Sequence, residues 1–284
     1  KMQSASIVGA KRSMGSPIHG PRSSLTINEL AAPVINNLIE TSGIKFDDVD
    51  ELIVSNALGA GGNPARSIAL ASKLPERVAG LSIDRQCVGG LDAILLGIKL
   101  VQAGSANIVV AGGVESFSNR PIRLAQEYDK ILVPYDAPAF TPNLYQEIQM
   151  AEAAFNIAEK FGFTQMDQDM FAINSHVNAL KSKKYLIDEI VNIGPENTLF
   201  DPYARNLSLK LCERAPKLFG SITYANTAIS ADAASFVVIC RNIIKGRKAL
   251  KLISGATVGA NPKLPGLAPI TAIEEVFQAS GLIQ

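Results

Sequence analysis

The residue of this chain best placed for covalent chemistry is Cys87. It falls between an apolar run, Gly80–Arg85, that reads as a strand and an amphipathic helix predicted over Val88–Ala103. Gly89 and Gly90 follow it closely. A sharp strand-to-helix turn presents a side chain at the carboxyl end of a sheet, and nearby glycines let a substrate or a second backbone approach. A helix N-terminus also offers unpaired N–H groups and the positive end of the helix dipole, which favour the attacking thiolate form. Thiolates exchange readily with thioesters, so the chemistry of such a residue would be acyl transfer. The opposing reading is a small buried hydrophobe, the usual state of a free cysteine. Local sequence leaves both open.

The other chemically able residues are less well placed. Cys240 ends an apolar strand and reads as core, while Cys212, among Lys210, Glu213 and Arg214, is expected to be partly exposed. His176 lies on a predicted helix beside Ile173, Val177 and Leu180, without an evident carboxylate to orient it, so a structural role outweighs a catalytic one. Three distant cysteines, with no Cys-x-x-Cys pair, make neither a disulfide framework nor a zinc site. Gly59, Gly61 and Gly62 suggest a dinucleotide loop, but Pro64 takes the place of the third glycine, and a turn before a helix explains them better.

Composition narrows the classes further. Of 284 residues 47% are apolar and 19% charged, a globular composition, long enough for one large core or two ordinary ones. The net charge is +1, acids and bases are interleaved, and no basic stripe points to nucleic acid. No apolar run approaches the roughly 20 residues of a membrane helix. Ser6-Ile7-Val8-Gly9 has strand character where a signal peptide would carry its apolar core. The expectation is a soluble protein of the cytoplasm, with a mitochondrial or peroxisomal matrix also compatible.

The elements that must position Cys87 alternate. Strands are predicted at Ala5–Gly9, Val49–Val54, Gly80–Arg85 and Asn107–Ala111. Between them, one helix begins at Thr26, with Glu29 at capping-box spacing, and another at Asn63-Pro64. This alternation implies a parallel sheet with helices on its faces. Pro121, Pro134, Pro138 and Pro142 mark a loop or insertion, followed by helices at about Ala151–Phe161 and from Thr164, where Asp167 fills the first turn. Apolar β-rich sequence returns at Ser235–Cys240 and Ala249–Val258. Residues 34–44 (VINNLIETSGI) align without a gap on 272–282 (AIEEVFQASGL). Two unrelated amphipathic helices would share the apolar spacing. The common Ser-Gly end and the strands upstream favour duplication, with a second unit left unfinished.

In order and spacing these segments resemble the thiolase family along essentially the whole chain. Ser6–Arg12 is similar to the family's opening strand, Asn63-Pro64-Ala65-Arg66 to its Gln-Asn-Pro-Ala-Arg helix start, and Cys87-Val88-Gly89-Gly90 to its nucleophile motif Cys-x-Ser-Gly. Gly112–Asn119 resembles Gly-Gly-Met-Glu-Ser-Met-Ser-Asn, Gln168-Asp169-x-Phe171-Ala172 the insert helix, and Asn226–Asp232 the Asn-Ala-Ser-Gly-x-Asn-Asp loop. The resemblance implies an α/β fold of duplicated βαβαβ halves with helices on both sheet faces, the second half incomplete. It divides the chain into an N-terminal half (1–118, with 219–246 returning to it), a CoA-binding insertion (119–218) and the start of the C-terminal half (247–284).

The implied activity is acyl-CoA C-acyltransfer through an acylated Cys87, with coenzyme A or acyl-CoA as substrate and no permanently bound cofactor or metal. Gln149, Met150, Arg205, Phe219, Tyr224 and Ala228 would contact CoA or substrate. Gly89 stands where the family has Ser, Gln149 where biosynthetic members often carry His, and Ala228 where a Ser often meets the pantetheine. The family's later Gly-His-Pro, Asn-Glu-Ala-Phe and Cys-x-Gly-Gly motifs are not in this chain, which keeps open a non-catalytic thiolase-like subunit or acyl-CoA-binding partner. A homo-oligomer, dimer or tetramer, joined through the edge strand after the nucleophile helix, is also implied; neither nucleic acid nor membrane is expected as a partner.

Overall fold

The computed structural model describes residues 4–126, 131–136, 138–142, 147–194, 198–242 and 248–282. In chain order the elements are β1 (Ser6–Arg12), β2 (Ser16–Pro17), α1 (Ile27–Ser42), β3 (Glu51–Ser55), α2 (Pro64–Ala71), β4 (Ala79–Ile83), α3 (Gly89–Ala103) and β5 (Ile108–Ser116). There follow β6 (Arg123–Gln126), β7 (Leu132–Tyr135), α4 (Met150–Phe161), α5 (Gln165–Leu186), α6 (Leu209–Arg214), β8 (Lys217–Phe219) and β9 (Ile222–Thr223). The last are β10 (Ala231–Cys240), β11 (Leu250–Lys251) and α7 (Ala268–Ser280). They form two compact units, the first of Lys1–Pro121, Lys184–Tyr203 and Ser230–Ile253, the second of Ile122–Lys183, Ala204–Ile229 and Ser254–Gln284.

The first unit is one sheet in the order β11-β1-β10-β5-β3-β4, with β2 beside β10. β3 is parallel to β4 and β5, as the alternation predicts, but β10 runs antiparallel to both β1 and β5. The four strands on which the expectation of a parallel sheet rests agree with it, and β10, from outside that alternation, makes the sheet mixed. β1, β3, β4 and β5 share one direction, and the returning β10 is inserted the other way. Side chains sort by the two-residue period of a strand. Leu52, Val54, Val110 and Val238 enter a core with α1 and α2, while Ile53, Val109, Ala111 and Ile239 enter a second core with α3. Strands buried on both faces read as unbroken apolar runs.

Strand limits moved where glycine misled. β5 runs on to Ser116 through Gly112 and Gly113, which read as a strand's end. A Cβ at Gly112 would lie 2.8 Å from Phe236 Cα and closer still to the Ser235 carbonyl, so close backbone approach demands the glycine. Of Ala249–Val258 only Leu250–Lys251 pairs, against Ile7 and Ser6, because β1 begins at Ser6 and leaves Leu252 no partner. The strand after the helix that follows Cys87, β5, is interior; among the described residues the edges of the sheet are β4 and β11. Association through an edge strand following that helix is thus corrected, since the edge beside it is the preceding β4. One apolar stretch, Gln86–Ala103, does reach membrane-spanning length by composition. It comprises α3 and the turn before it, and Ala93, Ile98 and Val101 of α3 are buried in the core.

The predicted caps are formed. Thr26 Oγ1 accepts from Glu29 N–H, and Glu29 accepts from Thr26 N–H in return. Asn63 caps α2 through Arg66 N–H, with Pro64 in its first turn. Both repeated helices end alike: Ser42 and Ser280 donate to carbonyls three residues back, and Gly43 and Gly281 close them at φ 72° and 68°. α1 buries eight residues, whereas α7 buries none among the described residues.

In the second unit the proline-rich stretch read as loop contains a two-stranded ladder, β6 with β7, in which Pro134 sits opposite Leu124. Thr164 caps α5 reciprocally with Asp167.

Candidate active site

Cys87 lies in a single 3-10 turn, Gln86–Val88, joining the end of β4 to α3. Gln86 adopts φ 50°, a left-handed conformation that costs a residue with a Cβ of order 1–3 kcal/mol. Asp84 Oδ1 accepts the Gln86 N–H at 2.7 Å and fixes this bend. The bend turns Cys87 outward. It is exposed, while Cys212 and Cys240 are buried. The buried-hydrophobe reading of Cys87 is thereby excluded.

Glycines let the turn sit on the sheet. The first turn of α3 packs so closely over Ser55, at the end of β3, that a Cβ on Gly89 would lie 3.0 Å from Ser55 Cβ and overlap its Oγ. Gly113 of β5 completes this floor, a Cβ there falling 3.6 Å from Gly90 Cα. Arg85 pairs with Asp92 of α3 across the turn.

The motif Gly112–Asn119 serves as a clasp for the same unit. Glu115 accepts from Ala57 and Leu58 N–H, both at 3.1 Å, and from Asn56 Nδ2 at 2.9 Å. Ser118 donates to the fully buried Asp232 from both N–H and hydroxyl, at 2.8 and 2.7 Å. Asn119 Nδ2 donates to the Ser23 and Leu25 carbonyls.

The second unit holds a mostly apolar cavity of about 520 Å³ between α4, α5 and the loop after β9. Met150, Ile157, Phe163 and Phe171 supply much of its wall, and Gln168, Ile222, Asn226 and Thr227 close it. Of the six residues expected to contact CoA or substrate, Met150 alone lines it. Gln149 is the exposed residue before α4, Phe219 packs edge-on against Phe155 of α4 at 5.5 Å, and Tyr224 and Ala228 are exposed. Arg205 stands elsewhere in this unit, where its N–H donates to His176 Nδ1 at 3.4 Å. Burial and the Arg205 charge hold the His176 imidazolium below its usual range.

The loop wall is latched to α5. Asn226 Nδ2 donates to Asp169 Oδ1 at 2.9 Å and to the Ser221 carbonyl at 3.1 Å, while its Oδ1 accepts from Thr223 N–H at 2.8 Å. Gln168 Nε2 adds a bond to Ser221 Oγ at 2.9 Å. Asp169 and Asn226 were legible only as parts of a family motif; their pairing across 57 positions was not. Cys212, expected to be partly exposed, is buried instead, because α6 turns it onto Leu207, Ala225, Ala172 and Ile173. Burial, reinforced by the Asp169 charge, pushes its thiol up, and burial pushes Cys240 up to about 11.

Both the sequence and the fold match known proteins. Residues 5–242 match the family described as thiolase, N-terminal domain, and the chain belongs to the thiolase family. It is 31% identical to "Putative acetyl-CoA C-acetyltransferase VraB" of Staphylococcus haemolyticus, over 99% of this chain and 77% of that protein. It is equally 31% identical to "Putative acetyl-CoA C-acetyltransferase YhfS" of Bacillus subtilis, over 96% of this chain and 74% of that one. The crystal structure of the Bacillus anthracis acetyl-CoA acetyltransferase superposes with a TM-score of 0.89 at 27% identity, covering 99% of this chain and 77% of that one.

Proposed function

We propose that the protein is an acyl-CoA C-acyltransferase that carries its acyl group on Cys87. The observation behind this reading is that Cys87 is the exposed thiol of the three and occupies the bent strand-to-helix turn. In the first step Cys87 Sγ attacks the thioester carbonyl carbon of an acyl-CoA, the carbon–sulfur bond to CoA breaks, and CoA leaves as the thiol. In the second step the α-carbanion of another acyl-CoA attacks the acyl-cysteine carbonyl. A carbon–carbon bond forms, the acyl–sulfur bond breaks, and Cys87 recovers its electron pair. Toward cleavage both steps run in reverse: Cys87 Sγ attacks the 3-keto carbonyl of a 3-ketoacyl-CoA, the carbon–carbon bond breaks and the carbanion takes up a proton, and CoA thiolate then attacks the acyl-cysteine and carries the acyl group away as acyl-CoA.

A second reading has its own observation. Carbanion formation needs a base at the α-carbon, and one of the chain's two histidines, His176, already accepts a backbone N–H. An acyl-CoA-binding subunit that takes up the acyl group without condensing it fits that fact. Incubation with acetyl-CoA, followed by intact-mass and peptide analysis, tests both. Acetyl on Cys87, and on neither Cys212 nor Cys240, is expected; acetoacetyl-CoA in addition selects the full enzyme. Acetylation confined to Cys212, or none, refutes the acyl-cysteine assignment.

A further inference from the structure

Three charged side chains frame the Cys87 turn: Asp84 and Arg85 before it and Asp92 after it. Asp84 is committed to the bend through Gln86 N–H. Two further carboxylates near this end of the sheet are engaged elsewhere. Glu115 of β5 accepts from Asn56, Ala57 and Leu58, and Asp232 of β10 accepts from Ser118. Asp92 stands in the first turn of α3, and Arg85 pairs with it from the end of β4, closing a loop with Cys87 inside. The Asp92 side chain is only 13% exposed against 61% for Arg85, so the guanidinium is the outer member of the pair. An ion pair with so exposed a member adds little to stability. Its consequence is to be sought in the charge around the turn.

We infer that Arg85 is a positioning residue for the acyl transfer: by holding Asp92 it offsets a carboxylate that would otherwise oppose the thiolate of Cys87. The inference rests on the acyl-cysteine reading above and adds a second residue to it. The charges set the direction. With two carboxylates and one guanidinium the turn is already net negative, and loss of Arg85 would leave two like charges near the anion that must form for attack. Asp92 also lies at the N-terminal end of α3, where a carboxylate and a thiolate draw on the same positive helix end. Paired with a guanidinium, Asp92 draws on it less. Because its side chain is mostly buried, its field is screened less than that of a surface carboxylate. Arg85 therefore acts through Asp92 and not by touching the substrate.

The rate at which iodoacetamide alkylates Cys87, read by peptide mapping from neutral to strongly alkaline pH, follows the thiolate. Arg85→Ala should react about 10-fold more slowly than wild type near neutrality, the effect of one nearby charge, and draw level in alkali where every thiol ionises. Arg85→Lys should keep most of the rate. The double variant R85A/D92N should recover it, since both charges of the pair are then gone, and D92N alone should be no slower than wild type. Acetylation by acetyl-CoA, measured on the same variants, should follow the same order. An R85A rate equal to wild type near neutrality would overturn the inference. So would a deficit that persists in alkali or that D92N fails to rescue, which is the mark of lost shape and not of lost charge. A wild type whose Cys87 shows this alkylation pattern yet takes up no acetyl group would refute the acyl-cysteine reading while supporting the hold of Arg85 on the thiol.

Discussion

Replacing Gly89 by Ala tests whether the Cys87 turn depends on close packing against the sheet. The added methyl would sit 3.0 Å from Ser55 Cβ and inside contact distance of Ser55 Oγ, at a position where both residues are buried. Overpacking of this kind costs about 1–3 kcal/mol. The obstacle is mainly a hydroxyl, so Ser55→Ala should relieve it: the double variant should regain about 1 kcal/mol or more over the sum of the singles, as contacting residues do. Gly112→Ala provides the contrast. Its methyl meets the Ser235 carbonyl and lies 2.8 Å from both Cα and Cδ1 of Phe236; truncating Phe236 removes only the last of these, so the two backbone clashes should leave most of the cost in place. Urea unfolding by far-UV circular dichroism suits a chain without tryptophan. Additive costs for Gly89→Ala and Ser55→Ala would refute the packing argument. So would an unchanged midpoint for Gly89→Ala alone.

Two further outcomes follow from the first unit. Burial alone would raise the Asp201 carboxyl, but hydrogen bonds from Arg12 and Gly15 N–H and the Arg12 charge outweigh it and hold it below its ordinary 3.8. A depressed carboxylate adds stability that is fully present above the unfolded value and lost as pH falls through the folded one. The Tm gap between wild type and Asp201→Asn should therefore be constant near neutrality and close below about pH 4; a gap that widens in acid would contradict this. Among the described residues no strand pairs with the outer edge of β4, beside the Cys87 turn, and exposed edges recruit further strands. Light scattering should find a homo-oligomer that a proline at Leu81 weakens; a wild-type monomer at micromolar concentration would count against it.

What was legible in the sequence was local. Thr26 with Glu29, Asn63 with Pro64, and Thr164 with Asp167 announced three helix starts because each cap is made within four residues. The turn carrying Cys87 was legible for the same reason. Features made between distant segments were not. The reversed strand β10 comes 115 residues after its neighbour β5, so adjacency in the sheet left no trace in the order of elements. Gly112 looked like a strand end because the backbone that requires it belongs to Ser235 and Phe236. The burial of Cys212 depends on Leu207 and Ala225, while its own neighbours Lys210, Glu213 and Arg214 are charged. The cavity escaped notice because its walls come from residues near 150–171 and 222–227.

The segments that make the family resemblance specific are for the most part not the segments that can do its chemistry. Glu115, Ser118 and Asn119 spend their side chains on the backbone at Ala57–Leu58, on Asp232, and on the Ser23 and Leu25 carbonyls. Asn63 spends its own on Arg66 N–H, the Gly80 carbonyl and the Ser82 hydroxyl. Asp169 and Asn226 spend theirs on one another. Each bond joins strands or loops that the fold must hold in register, so a protein could keep all of them and catalyse nothing. Membership of a family and possession of its activity are separate claims for that reason. The second must be carried by groups the scaffold leaves unspent. In this chain the exposed thiol of Cys87 on its bent turn is such a group, and it can be removed by a substitution that leaves the clasps in place.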